Sequence, residues 1–406
     1  MKNEKRNVYE SVAAGGMDVH YKFSQVTMRD AQARIVRRER LDHPDRKQLR
    51  ERLAQWPPGV PFVMEASFGW GWLADEMKGA GLAPQLSNSF KVEKMRKARG
   101  MAKTNKKDAD LLSLLPSEAL DWWKVWMAPP EVRDRRELMR YRSDLVVTAS
   151  QTKARIHAVC HRHGIFHGFS DLFGAKGRVF LAELCREGKT PEVQLEPGAL
   201  AALRGQVRLL EQVRGQLAEV ARKLRAELDR SPLARRLDGI PGIGLILAHT
   251  LIAEIGELSR FRNDGALACY SLLAPTAHDT GEEDPTAAPL GRHLGQRGNR
   301  VLKWAFIEAS HSAVKKGGKW RKIFDGCTDG GKKNRNRGYI RVARELVKVV
   351  HVVWKKGVDY TDNPPARPKG TNRQQMEAFF GKSRSGTGQP CLTMAAALPS
   401  GLQASR

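Results

Sequence analysis

The sequence predicts an α/β domain followed by an all-α half, the two joined by a long helical connector. Three observations predict it. Short apolar strands alternate with helix-length segments through the first 118 residues, Leu and Val recur every three or four positions over residues 203–228, and a helix, glycine turn, helix pattern opens near Leu237. The expected domains are residues 1–118, a connector over 119–236, a helical domain over 237–360 and a tail over 361–406. A chain of 406 residues is too long for one ordinary core and has ample length for a sizeable interior.

Lys and Arg total 70 against 44 Asp and Glu, a formal charge of +26. Such an excess points to a polyanion partner, and nucleic acid fits best because Lys and Arg neutralise phosphates and release counterions. A membrane-surface protein would concentrate its basic residues on one amphipathic helix. The five cysteines, Cys160, Cys185, Cys269, Cys327 and Cys391, form no CxxC pair, which argues against a disulfide framework or a zinc ribbon. The opening MKNEKRNVYESV lacks the apolar core of a signal peptide, and no apolar run is long enough for a bilayer, so a cytoplasmic, DNA-associated bacterial protein without membrane partners is expected.

From Val12 the chain alternates apolar and polar residues through Val19, Tyr21, Phe23 and Val26, then turns at Arg29-Asp30-Ala31 into ARIVRRERL. That is the pattern of a β-hairpin. A helix is expected over residues 46–56, a strand over 61–67 ending near Glu65, a helix over 71–80 and a strand in LAPQLSN. Strands first and βαβ afterwards suit a mixed sheet with helices packed on it. If the strands bearing Asp18 and Glu65 are neighbours, two carboxylates converge at one sheet edge. KTNKKDADLL reads as a helix start capped by Thr104 or Asn105, with positions 105 and 108 on one face. Carboxylates from two strands and a helix can hold one or two Mg²⁺ ions for attack on a phosphodiester. Any one of these acids alone is usually a cap, a turn or a solvated face; the combination carries the weight.

Trp122, Trp123, Trp126 and Met127 fall at helical spacing and read as core rather than as nucleic-acid contacts, and a long helix follows over residues 138–164. Leu203, Val207, Leu210, Val213, Leu217, Val220, Leu224 and Leu228, with charged residues between, mark a long amphipathic, coiled-coil-like helix. Its stripe can be buried within one subunit or against another copy, and pairing with another copy is favoured.

The turn Pro241-Gly242-Ile243-Gly244 joins a charged helix to an apolar one carrying Ala248, Leu251, Ile252 and Ile255. Gly242 and Gly244 let backbone N–H groups approach a ligand, and the following helix start adds a positive dipole end. This is the physics of a helix-hairpin-helix clamp on a nucleic-acid backbone; a turn that merely joins two core helices is the alternative. Residues 261–273 read as helical. The Pro-, Gly- and acid-rich stretch after Pro275 is a loop exposing His278, Asp279 and Thr280 before Gly281. Arg292, Arg297, Arg300 and Lys303 then lead into a helix over 301–314 as a basic face for phosphates. Lys332, Lys333, Arg335 and Arg337 form a second basic stretch before an amphipathic helix over 340–354, and Pro, Gly, Ser, Gln and Arg dominate a disordered tail from Asn363.

Four segments, GMDVH, VMEASFGW, KTNKKDADLL, and IPGIGLILAHTLIAEIG continuing through LAPTAHDTGEE to GRHLGQRGNRVLKWAFIEAS, resemble the DEDD-type insertion-sequence transposases, a family related to the Piv-type site-specific DNA invertases. The likeness runs from about Val12 to Gly357. It implies a RuvC-like RNase H fold for the first domain, with Asp18, Glu65, Asn105 and Asp108 as a tetrad for Mg²⁺. It further implies a helical connector used to assemble a homo-oligomer, dimer or tetramer, and a hydroxyl nucleophile after Pro275. A structured guide RNA, or bridge RNA, would pair its two loops with target and donor DNA, and strands would exchange through a covalent hydroxyl-linked intermediate. Two departures stand out. The third tetrad position, Asp in the family, is Asn105, whose amide offers an oxygen without charge. The nucleophile, Ser in the family, is Thr280, whose methyl crowds an in-line approach to phosphorus. Competing readings are a RuvC-like nuclease or resolvase that uses water, and a catalytically impaired copy that binds RNA and DNA.

Overall fold

The computed structural model describes residues 9–275, 294, 295 and 297–362. The chain divides into two units, Met1–Tyr360 and Thr361–Arg406. The expected tail lies outside the described residues but for its first two positions.

Strands β1 (Ala14–Val19), β2 (Phe23–Arg29), β3 (Ile35–Asp42), β4 (Pro61–Glu65), β5 (Ala83–Ser87) and β6 (Lys124–Val125) form one sheet in the order β3-β2-β1-β4-β5-β6. β1 pairs with β4 and β4 with β5 in parallel, while the remaining pairs are antiparallel. Side chains alternate across a strand, so the sheet buries two faces. Met17, Phe62 and Met64 meet Leu49 and Leu53 of helix α1 (Arg46–Leu53) and Leu73 and Met77 of α2 (Trp70–Gly79). On the opposite face, Val63 meets Val92 of α3 (Ser89–Ala98) and Leu111 and Leu112 of α4 (Asn105–Leu112).

The connector comprises α5 (Pro130–Arg162), α6 (Ala175–Glu187) and α7 (Pro197–Arg230). The helical half holds α8 (Pro232–Asp238), α9 (Leu245–Ile255), α10 (Asp264–Tyr270), α11 (Arg300–Lys316), α12 (Gly318–Thr328) and α13 (Arg335–Lys356). These six share a core that includes Leu237, Leu251, Leu267, Phe306, Phe324 and Leu346. No helix among the described residues is long and apolar enough to cross a membrane.

Several expectations change. The opening hairpin is a three-strand meander, because the chain already reverses at His20–Lys22, where the His20 amide donates to the Phe23 carbonyl at 2.9 Å and Tyr21 is exposed. The Trp-rich stretch makes a 3-10 turn, Leu115–Ser117, and the edge strand β6 instead of a helix; Trp123 is buried while Trp122 is not. The expected helix over 261–273 is shortened to α10, whose cap is the Asn263 side chain accepting from the Ala266 amide. Helices α3, α6 and α12 had no counterpart among the expected elements. The favoured pairing of the Leu/Val stripe with another copy is overturned: Leu203, Leu210, Val213, Val220 and Leu224 of α7 are buried with Leu145, Ile156 and Val159 of α5 in one core of the same chain.

Candidate active site

The acidic pocket is assembled at the carboxyl edge of the two central parallel strands. Met17 pairs with Met64 across β1 and β4, so the next residues, Asp18 and Glu65, leave the sheet side by side. Ligand sites of such sheets lie beyond the carboxyl ends of parallel strands. Gly16 shares a face with Asp18, and a Cβ there would stand 2.1 Å from the Ser113 nitrogen and 2.4 Å from the Ala109 carbonyl oxygen. The missing side chain lets α4 lie directly on β1. Thr104 caps α4, its hydroxyl accepting from the Lys107 amide, which fixes the helix start and places Asn105 and Asp108 one turn apart.

Asp18, Glu65, Asn105 and Asp108 line one cavity of about 430 Å³. The imidazole Nε2 of His20 lies 3.1 Å from an Asp18 oxygen, and the guanidinium of Arg96 lies 3.9 Å from Asp108. Burial pushes the Asp18 carboxyl above its ordinary range; His20 opposes the rise and the Asp108 charge adds to it. Glu65 is raised for the same reason, burial first, with a hydrogen bond from Ser89 opposing and the Asp18 and Asp108 charges adding. The structure thus holds like charges together at a partly buried edge, an arrangement that a cation relieves. Among the described residues no three His, Cys, Asp or Glu side chains converge on one ion as placed. The donor set nonetheless fits a hard divalent cation, since all three acids and the Asn105 amide offer oxygen.

Asp110 is excluded from this pocket. Its carboxylate accepts from Thr27 at 2.8 Å and from Arg38 at 2.9 Å twice, which ties it to β2 and β3. His20, Ser89, Phe90 and Lys103 line the pocket without having been singled out in the sequence. His20 had a signal, being two residues beyond Asp18; Ser89 had none until β5 was known to lie beside β4.

The helical half reaches the rim of this pocket. The Arg297 guanidinium stands 3.4 Å from the centroid of the Phe90 ring, and Phe90 is a pocket wall. Around the same seam, Arg136 of α5 donates to the Ala253 and Glu254 carbonyls of α9 at 2.9 and 3.0 Å. Trp126 packs on Gly256, where a Cβ would stand 2.4 Å from the indole. Thr280 and Arg292 lie outside the described residues.

The remaining candidates divide. Gly242 is buried at φ +92°, and a Cβ would stand 2.2 Å from the Ala309 carbonyl of α11, so close packing accounts for this glycine. Gly244 is exposed at the start of α9 with open space around it. Arg297 and Arg300 are exposed and Lys303 half-buried. Lys332, Lys333, Arg335 and Arg337 are all exposed at the N-terminal end of α13, whose first turn carries no acid. Positive charge there opposes the helix dipole, and a bound anion would offset it.

Two stretches of the chain match known protein families. Residues 15–164 match a DEDD-type family described as a transposase, and residues 234–325 match the transposase IS116/IS110/IS902 family. A probable family 20 transposase of Pseudomonas aeruginosa is 24% identical over 310 residues, covering 74% of this chain and 83% of that protein. The insertion element IS110 43.6 kDa protein of Streptomyces coelicolor is 27% identical over 39% of this chain and 37% of its own length. A 44.8 kDa protein of insertion element IS116 from Streptomyces clavuligerus is 27% identical over 36% of this chain and 35% of its own. The matches to these two Streptomyces proteins span little more than a third of each. With the acidic pocket inside the first matched segment and helices α9 to α11 of the helical half inside the second, the chain carries domains of the IS110/IS116 family of insertion-sequence transposases.

Proposed function

We propose that the chain is an insertion-sequence transposase that cuts and rejoins DNA strands through a hydroxyl-linked intermediate, with Mg²⁺ and a structured guide RNA. One observation carries it most: the oxygen-rich pocket of Asp18, Glu65, Asn105 and Asp108 has Arg297, from the half matched to the transposase family, at its rim. In this reading the first domain is a RuvC-like RNase H fold. Asp18, Glu65 and Asp108, with the Asn105 carbonyl, would hold one or two Mg²⁺ ions, which would draw charge from the oxygens of the scissile phosphate. His20 orients Asp18 and Ser89 orients Glu65. Arg297 and Lys103 attract the phosphate into a pocket whose own charge repels it.

The Thr280 hydroxyl then attacks phosphorus, forming a phosphothreonine ester as the bond to the departing 3′ oxygen breaks and that oxygen takes a proton. The ester keeps the energy of the broken link, so rejoining to a new end needs no nucleotide. Gly244 and the helix start of α9 would hold a DNA backbone in the manner of a helix-hairpin-helix, with Arg300, Lys303 and the cluster from Lys332 to Arg337 extending the track. Base pairing with the RNA would choose donor and target sites. Assembly into a dimer or tetramer would bring two ends together.

The test is recombination of donor and target DNA by the full chain with RNA transcribed from the flanking noncoding DNA. Product is expected only with RNA and a divalent ion present, and Asp18→Asn is expected to lose it while still retarding DNA in a gel. Product formed equally without RNA would refute guidance, and product unaffected by Asp18→Asn would refute the acidic centre.

A further inference from the structure

A second cavity, about 360 Å³, opens between α5, α9 and α11 and shares no lining residue with the acidic pocket. Its size falls within the range of about 300–1,000 Å³ usual for small-ligand sites. Arg140 and Arg142 enter from α5, Arg300, Val301 and Trp304 from α11, and Thr250 from α9. Two features are unusual for a surface that binds nothing. Trp304 leaves 47% of its surface in solvent, although a large indole is ordinarily well covered. Arg142 is half-buried and, among the described residues, has neither a carboxylate partner nor a hydrogen-bond acceptor; burial pushes its pKa down and no neighbour restores it. The cavity's acids do not answer the three arginines. Glu254 already accepts from Asn299 at 2.6 Å and faces Arg136 at 3.8 Å, which leaves Asp144 alone.

We infer that this cavity receives one unstacked nucleotide of a single strand, its base against the Trp304 indole and its phosphate on Arg142, flanked by Arg140 and Arg300. A guanidinium forks onto phosphate oxygens through paired N–H donors, which gives the stranded Arg142 the acceptor it lacks. An indole offers a flat apolar face to any base. A duplex keeps its bases inside the stack and cannot present one to a cavity, whereas a single strand or an extruded base can. An acidic peptide would answer the arginines but has no planar group to match the indole. The site holds whether or not Thr280 is the nucleophile, because it uses none of the acidic centre.

The experiment measures fluorescence anisotropy of labelled single-stranded DNA, single-stranded RNA and duplex DNA with the full chain at one fixed salt concentration. Arg142→Ala and Trp304→Ala are each expected to weaken single-strand binding by about tenfold, with Trp304→Phe close to wild type. Duplex affinity should stay within about twofold, since phosphate contacts elsewhere carry it. A loss on the DNA strand, the RNA strand or both supports the cavity and tells which strand it takes. Equal losses on duplex and single strand, or none on either single strand, overturn it. Photo-crosslinking guards against misfolded variants, because it uses the wild-type chain. A strand carrying 5-iodouracil should crosslink to the peptide containing Trp304, and a crosslink map without that peptide also overturns the inference.

Discussion

At Asp18 the chain keeps a carboxylate against burial and against the charge of Asp108, with His20 and Lys103 opposing. Holding it costs stability, so Asp18→Asn should melt higher than wild type while losing strand transfer, the reverse of the usual sign for a partly buried substitution. Differential scanning calorimetry with a strand-transfer assay checks both halves; a lower melting temperature would show that Asp18 is held by packing alone. Asn105 is exposed at the first position of α4 and offers one neutral oxygen. Asn105→Asp should raise Mg²⁺ or Mn²⁺ affinity on the order of tenfold, read by isothermal titration, because each added carboxylate strengthens a hard-cation site. Unchanged affinity would place Asn105 outside the ligand set. Asp18, Glu65 and Asp108 were legible as residue types at strand ends and a helix start. His20 offered only its place two residues beyond Asp18, and Ser89 was not legible, since its role depends on which neighbour its side chain faces, a property of the folded sheet.

Among the elements, α4 depends on a single missing methyl group. Gly16→Ala drives a Cβ against the Ser113 and Ala109 backbone, so α4 must lift from β1. The expected loss is about 1–3 kcal/mol by urea unfolding, with strand transfer lost as Asp108 withdraws from Asp18. The α5 and α7 pair makes a different prediction. Leu210→Ala removes a buried contact within one chain and should cost about 2–5 kcal/mol, with a melting temperature independent of protein concentration. A concentration-dependent melt would restore the seam between copies. The apolar period of α7 was plain in the sequence, but a period names a buried face and not its partner; the weaker stripe of α5, broken by Arg and Ser, is what escaped notice. Strand β6 was missed for a similar reason. Trp122, Trp123, Trp126 and Met127 fit a helix by spacing, yet the main-chain groups of Lys124 and Val125 complete the edge beside β5.

At the scale of the whole molecule, three imidazoles buried among the described residues shape the response to acid. Burial depresses the pKa of His43, His249 and His351; Glu227 opposes this at His249 and Asp264 at His351. An unfolded histidine takes its proton at about pH 6.5, whereas these native ones resist it. The native state therefore binds fewer protons in that region, and stability that is complete above about pH 6.5 falls as the pH drops below it. Thermal melts near neutrality and in mild acid should show the fall, reduced in His249→Gln; a variant that falls as far as wild type would assign the effect elsewhere. The formal charge of +26 made a nucleic-acid partner legible early, and the order of strands and helices did the same for an α/β start followed by helices. The closeness of the two parts was not legible, because the stacking of Arg297 on Phe90 joins residues more than two hundred positions apart. The most direct measurement uses end-labelled DNA incubated with the full chain, RNA and Mg²⁺, then resolved on a denaturing gel. Label migrating with the protein, absent from Thr280→Ala and from Asp18→Asn, is the predicted result; label found only in free DNA fragments, or still on the protein in Thr280→Ala, would contradict it.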